Sequence, residues 1–155
     1  MDFQISTLPR GRFAHLFGLG DEALAESGAR RYVADRKPGF PCRVTLQDAE
    51  PGERVILISF QHQRDGSPYQ ASGPIFVREA AVDVAVPAST IPELLRSRLL
   101  SVRAYDGDDL MIDADVVDGP DVEGTIARLL ADERARYLHV HFARPGCFAC
   151  RIDRA

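Results

Sequence analysis

The chain has 155 residues, of which 45% are hydrophobic and 27% charged, and its net charge is −4 at pH 7. This composition excludes an intrinsically disordered chain, and the length suits one domain over residues 1–155 with its own core. The negative charge argues against nucleic acids and anionic membrane surfaces as partners, because both require a basic footprint.

The N-terminal residues lack the basic start and apolar run of a secretory signal, and no stretch of about eighteen apolar residues could span a membrane. Three cysteines are an odd number, which without a secretory context indicates free thiols rather than a disulfide framework. We therefore expect a cytoplasmic protein.

Hydrophobic periodicity and turn residues predict short elements throughout the chain. The strongest strand is the β-branched run 53–60, which is followed by His62, and the best hairpin signal is the Asp-Gly turn after residue 105. A loop broken by two prolines covers 37–42. The predicted strands are 3–5, 29–35, 54–60, 74–79, 99–105, 110–117, 137–142 and 147–152, and the predicted helices are 13–17, a turn capped by Asp21 through residue 27, 91–95 and 125–131.

These elements predict a single α+β domain, in which a largely antiparallel twisted β-sheet is packed by two or three short helices. The sheet is expected to contain the strands from 54–60 onward. No linker, repeat or low-complexity tract divides the chain.

The terminal hairpin concentrates residues that could carry chemistry. In a strand, Tyr137, His139 and His141 share one face, while the other face is apolar. A turn centred on residues 145–146 would pair His141 with Cys150 and place that thiol on the histidine face. A three-residue loop would instead set His141 opposite Ala149 and move Cys150 to the apolar face. We favour the first register and keep the second open.

In the favoured register, His139, His141 and Cys150 are candidate transition-metal ligands, with His62 as a further ligand. Polar surface residues or a hydrogen-bonded pocket wall would also explain a His-x-His pair. The Cys147-x-x-Cys150 spacing is that of redox motifs, but its strand context favours buried, unreactive thiols. Neither a nucleotide-binding motif nor a calcium loop is present.

Further polar residues lie at predicted strand ends and in the loop 64–73. His62, Tyr69, Ser72, Arg103 and Tyr105 could converge with the two hairpin histidines on a pocket. A histidine base with a tyrosine or arginine that stabilises an anion would support simple hydrolytic or isomerase chemistry. The candidate catalytic residues are His62, His139, His141, Arg103 and Tyr69.

Five segments together, 34–44, 72–79, 99–105, 138–141 and 146–149, resemble the bacterial domain-of-unknown-function family 1203. The resemblance covers essentially the whole chain and implies a small, stand-alone cytosolic protein of bacterial origin. It carries over no catalytic residue and no cofactor.

Three functions remain open. The first is a pocket for a small, anionic ligand, with or without catalysis, and its candidate ligand-binding residues are Arg43, His62, Tyr69, Ser72, Arg103, Tyr105, His139, His141 and Cys147. The second is an interaction module or homo-oligomer that makes contact through the terminal hairpin. The third is a metal-binding protein that uses the two hairpin histidines.

Overall fold

The structure, a computed structural model, describes residues 2–155. The strands are β1 (Phe3–Ser6), β2 (Arg30–Val33), β3 (Arg54–Gln63), β4 (Ala71–Arg78), β5 (Leu99–Tyr105), β6 (Met111–Asp118), β7 (Tyr137–Phe142) and β8 (Phe148–Arg154). The α-helices are α1 (Ala14–Phe17), α2 (Asp21–Glu26), α3 (Glu93–Arg96) and α4 (Val122–Leu130).

The strands form two antiparallel sheets. The larger has the order β1-β8-β7-β5-β6, and the smaller has the order β2-β3-β4. The predicted α+β class with antiparallel sheets is confirmed. The expectation of one sheet is corrected. Strand β3 pairs with β2 on one side and with β4 on the other, and neither β3 nor β4 pairs with the C-terminal strands. The described residues also contain four α-helices instead of two or three.

Strand β7 lies in the middle of the larger sheet, and all six of its residues are buried. One face carries Leu138, Val140 and Phe142 and belongs to the main hydrophobic core. Helix α4 contributes Ile126 and Leu129 to the same core, as the helical spacing of apolar residues predicts. The opposite face of β7 carries the histidines and is covered from the side of the smaller sheet.

Three element boundaries differ from the sequence prediction. Strand β3 continues to Gln63, so His62 lies inside the strand rather than after it. Strand β4 begins at Ala71 and contains Pro74, which an edge strand tolerates because its outer N–H groups need no partner. Helix α2 has Gly20 rather than Asp21 at its N-cap, and Asp21 instead places its charge in the first turn.

Gly119 gives a direct test of the packing between α3 and the segment before α4. A Cβ atom at Gly119 would overlap the carbonyl oxygens of Leu95 and Arg96. We expect Gly119→Ala to lower the free energy of unfolding by at least about 1–3 kcal/mol, because the backbone must move to relieve the overlap. Urea denaturation followed by circular dichroism measures this change.

The matched control is Gly124→Ala in helix α4, where a Cβ would meet no atom within 4 Å. Alanine is the better helix former, so this variant should be more stable than the parent by up to about 1 kcal/mol. Equal stability of the two variants would contradict the described packing.

Candidate functional site

A cluster of three histidines forms where the smaller sheet covers β7. His62 of β3 lies edge-on to His141, with ring centroids 4.7 Å apart, and 6.1 Å from the ring of His139. The His62 ring also stacks on Phe148 of β8 at an interplanar angle of 7°. The fold therefore brings together three of the residues that the sequence singled out as candidates. We refer to His62, His139 and His141 as the histidine cluster.

The hydrogen bonds of His141 fix its tautomer. Its Nδ1 lies 3.0 Å from the carbonyl oxygen of Gly146, which can only accept, so Nδ1 carries the proton. Its Nε2 lies 3.3 Å from an Arg103 guanidinium nitrogen, which can only donate. His141 is therefore neutral, and both of its ring nitrogens are engaged within the protein.

Burial keeps the cluster uncharged. Burial is the main cause that lowers the pKa of His139 to about 3 and of His141 to about 4, and the neighbouring histidines and Arg103 add to the effect. Burial and Arg103 also lower the pKa of His62. The Nδ1 atoms of His62 and His139 are buried without a hydrogen-bond partner. A histidine in this state resists protonation near neutral pH.

The tyrosines adjoin the cluster through a second network. Tyr105 and Tyr137 stack with centroids 5.3 Å apart, and Tyr69 meets Tyr105 edge-on. The Tyr137 hydroxyl donates to Asp109 at 2.5 Å and accepts from Gln63 at 2.9 Å. Burial and the bond to Asp109 raise the pKa of Tyr137 to about 12. Asp109 and Gln63 were missed by the sequence analysis, which assigned Asp109 only to a turn.

The favoured hairpin register is wrong. His141 pairs with Phe148 and Val140 pairs with Cys150, and a bulge takes up Ala149. The thiol of Cys150 therefore belongs to the apolar core on the other face of the sheet and not to the histidine face. Over residues 2–155, no group of three or more histidine, cysteine or acidic side chains is placed to hold a metal ion.

A cleft of about 850 Å³ opens beside the Phe142 end of β7, which is the end away from Tyr137. Four arginines line it, and its apolar walls include Leu57, Phe76, Leu99 and Phe142. We call it the arginine cleft. Its arginines are Arg43, Arg96, Arg98 and Arg144. None of the three clustered histidines is among its lining residues.

Arg43 is the most deeply placed of these arginines, with only 1% of its surface exposed. Its Nε donates to the carbonyl of Phe148 at 2.7 Å, one terminal nitrogen donates to the carbonyl of Pro41, and the other donates to the Cys147 sulfur at 3.0 Å. Its guanidinium also lies 4.9 Å from the centre of the Phe142 ring. Burial lowers the pKa of Arg43, an effect that Cys147 opposes.

The charge of Arg43 has no carboxylate partner within residues 2–155. The other cleft arginines differ in this respect. Arg98 forms a two-pronged ion pair with Asp48 at 2.6 and 2.9 Å, and Arg96 pairs with Glu123. Arg144 is exposed at the rim and forms no ion pair with a described residue.

The nine residues predicted to bind a ligand thus fall into separate places. Arg43 and Cys147 line the arginine cleft, whereas the other group surrounds the histidine cluster. This second group contains the buried Tyr105, His139 and His141, the partly buried His62 and Arg103, and the exposed Tyr69. Ser72 is exposed on β4, opposite Gln61. Arg98 and Arg144 were missed, because neither lies in a motif and only the fold brings them near Arg43.

Much of the terminal hairpin is buried, while its turn at residues 144–146 is exposed. Strand β8 is covered along its outer edge by β1, and Phe142 and Phe148 are 2% and 4% exposed. The edge strands of the larger sheet are β1 and β6.

The family model described as "Protein of unknown function (DUF1203)" matches residues 39–154. The chain belongs to this family. No curated protein and no solved structure matches it. The matched DUF1203 region includes Arg43, Cys147 and the whole histidine cluster. No helix within residues 2–155 has the length and apolar character needed to cross a membrane.

The buried histidines of this DUF1203 protein should make its stability depend on pH. Below pH 6.5 the unfolded chain binds protons at His139 and His141 that the native state excludes, so stability falls as pH falls toward the native pKa values. For each histidine the loss approaches about 1.4 kcal/mol per pH unit. Urea denaturation between about pH 5 and about pH 7 measures the slope.

The variant His139→Gln should reduce this slope by the contribution of one histidine. The control is His15→Gln, because His15 is exposed on α1 and its removal should leave the slope unchanged. A slope in His139→Gln equal to that of the parent would show that His139 is protonated in the native state.

Proposed function

We propose that the protein binds a small molecule with an anionic group and an apolar body in the arginine cleft. The observation that carries the proposal is Arg43, a buried guanidinium without a carboxylate partner that lines this cleft. A buried ion normally costs several kcal/mol unless an opposite charge accompanies it. A ligand anion would supply that charge.

The geometry of Arg43 supports such a role. A guanidinium has five N–H donors, and three of those of Arg43 are occupied by Phe148, Pro41 and Cys147. Two donors remain. A planar fork of this kind suits the paired oxygens of a carboxylate or phosphate. Arg144 at the rim could add a second positive charge, whereas Arg98 is already neutralised by Asp48.

The walls of the cleft support an apolar ligand body. Phe76 and Phe142 face it together with Leu57 and Leu99, and its volume of about 850 Å³ lies in the range of small-molecule sites. Aspartates 118 and 121 also line it and would disfavour a second anionic group near them. The net charge of −4 further supports a small molecule over a nucleic acid or an anionic membrane as partner.

The histidine cluster supports a structural role rather than a catalytic one. None of the three clustered histidines lines the arginine cleft, whereas Arg43 does, so a ligand in the cleft would not contact the cluster. A bacterial origin, which the family resemblance implies, belongs to the same proposal. So does a cytoplasmic location, which is supported by three cysteines that are all free thiols.

Isothermal titration calorimetry with a matched pair of probes tests the proposal. Phenyl phosphate and benzoate carry an anionic group on an aromatic ring, whereas benzamide has the same shape as benzoate without its charge. We expect phenyl phosphate and benzoate to bind and benzamide to bind at least about tenfold more weakly, because the anion pairs with Arg43. Equal affinity for benzoate and benzamide would contradict the proposal.

Three variants locate the binding. Arg43→Lys keeps the charge but loses the fork, and Arg144→Gln removes the rim charge, so both should weaken phenyl phosphate binding. The control is Arg136→Gln, an exposed arginine beside Tyr137 at the opposite end of β7, which should bind like the parent. Because Arg43 is buried, the fold of Arg43→Lys is checked by circular dichroism, and Arg144→Gln tests the site if that variant unfolds.

A further inference from the structure

Cys147 is the cysteine that a molecule in the arginine cleft can reach. It is half-buried and lines the cleft, whereas Cys42 and Cys150 are 0% and 1% exposed. Burial also raises the pKa of Cys150 to about 12, which keeps that thiol protonated and unreactive. Among the three thiols, only Cys147 combines access with a position in the candidate site.

The Cys147 sulfur lies directly beside the charge that would hold an anion. Its Sγ is 3.0 Å from an Arg43 guanidinium nitrogen, and two further N–H donors of the same guanidinium have no acceptor among the bonds described above. An anion on those donors would therefore sit next to the sulfur. Arg43 is 1% exposed and has no carboxylate partner among residues 2–155, and this unpaired buried charge is a second feature that points to a ligand.

We propose that Cys147 is the nucleophile of the arginine cleft and that its substrates are small carboxylates with an electrophilic carbon one or two bonds from the carboxyl carbon. This inference rests on the proposed anion-binding function. A bound carboxylate would bring its reactive carbon to the sulfur. Holding the two reacting atoms together raises the rate of the reaction in the same way as a high local concentration of the substrate would.

The step needs no redox partner. With an α,β-unsaturated carboxylate, the sulfur forms a bond to the β-carbon and the π-electron pair moves to the α-carbon. The α-carbon then takes a proton from solvent, and the thiol proton is released to solvent. With a 2-haloacetate, the sulfur bonds to the methylene carbon and the halide leaves with the bonding pair.

Alkylation with iodoacetate and iodoacetamide tests the inference on the intact protein, because the two reagents differ in charge and little in size. Intact-protein and peptide mass spectrometry give the rate at each cysteine. Each rate is divided by that of N-acetylcysteine, which corrects for intrinsic reactivity. We expect the corrected rate of Cys147 to be at least about tenfold higher with iodoacetate, because the arginines hold its carboxylate beside the sulfur.

Inorganic phosphate should abolish the preference at Cys147 by occupying the guanidinium. Arg144→Gln should reduce the preference, Arg136→Gln should keep it, and Cys147→Ala should remove the label. A corrected rate with iodoacetate no higher than with iodoacetamide, or a label on Cys42 or Cys150 instead, would overturn the inference. If phenyl phosphate binds in calorimetry but Cys147 shows no preference for iodoacetate, only the nucleophilic role of Cys147 is refuted. If phenyl phosphate does not bind and the preference is also absent, the proposed anion-binding function is refuted as well.

Discussion

Arg43 links the two sheets that line the arginine cleft. Its backbone N–H donates to the carbonyl of Phe76 in the smaller sheet, and its side chain donates to the carbonyl of Phe148 in the larger one. Its carbonyl accepts from Leu8, and its guanidinium packs on the ring of Phe142. One residue therefore joins both sheets at the edge of the cleft, through its backbone on one side and its guanidinium on the other. Burial of the guanidinium costs desolvation free energy, and its neutral hydrogen-bond acceptors offset only part of that cost. An anion bound beside it would offset more.

Phe148 connects this cation to the histidine cluster. Its carbonyl accepts the Arg43 bond, while its ring stacks on His62 and meets His139 and His141 edge-on. The three histidines that the Phe148 ring contacts all have lowered pKa values, which keeps them uncharged near neutral pH. The backbone of Phe148 thus faces the buried cation of the arginine cleft, and its side chain faces the histidine cluster.

The sequence predicted the elements better than their assembly. Strands 99–105 and 137–142 were placed correctly, because an Asp-Gly turn and strict alternation are local signals. The division into two sheets could not be predicted, since strand partners are chosen by distant residues. Cys150 was placed on the wrong face because a bulge at Ala149 reverses the alternation, and nothing in the local sequence marks it. The convergence of Arg43, Arg98 and Arg144 depends likewise on tertiary packing.

The most direct test of the central claim is the NMR signal of the Arg43 Nε–H group, assigned by its loss in Arg43→Lys. Because this proton is buried and bonded to the Phe148 carbonyl, we expect it to exchange slowly with solvent. We also expect it to shift with saturation when phenyl phosphate is added, by more than the side-chain signal of Arg136. A signal that stays in place while phenyl phosphate binds elsewhere, or that exchanges as rapidly as that of Arg136, would contradict the account.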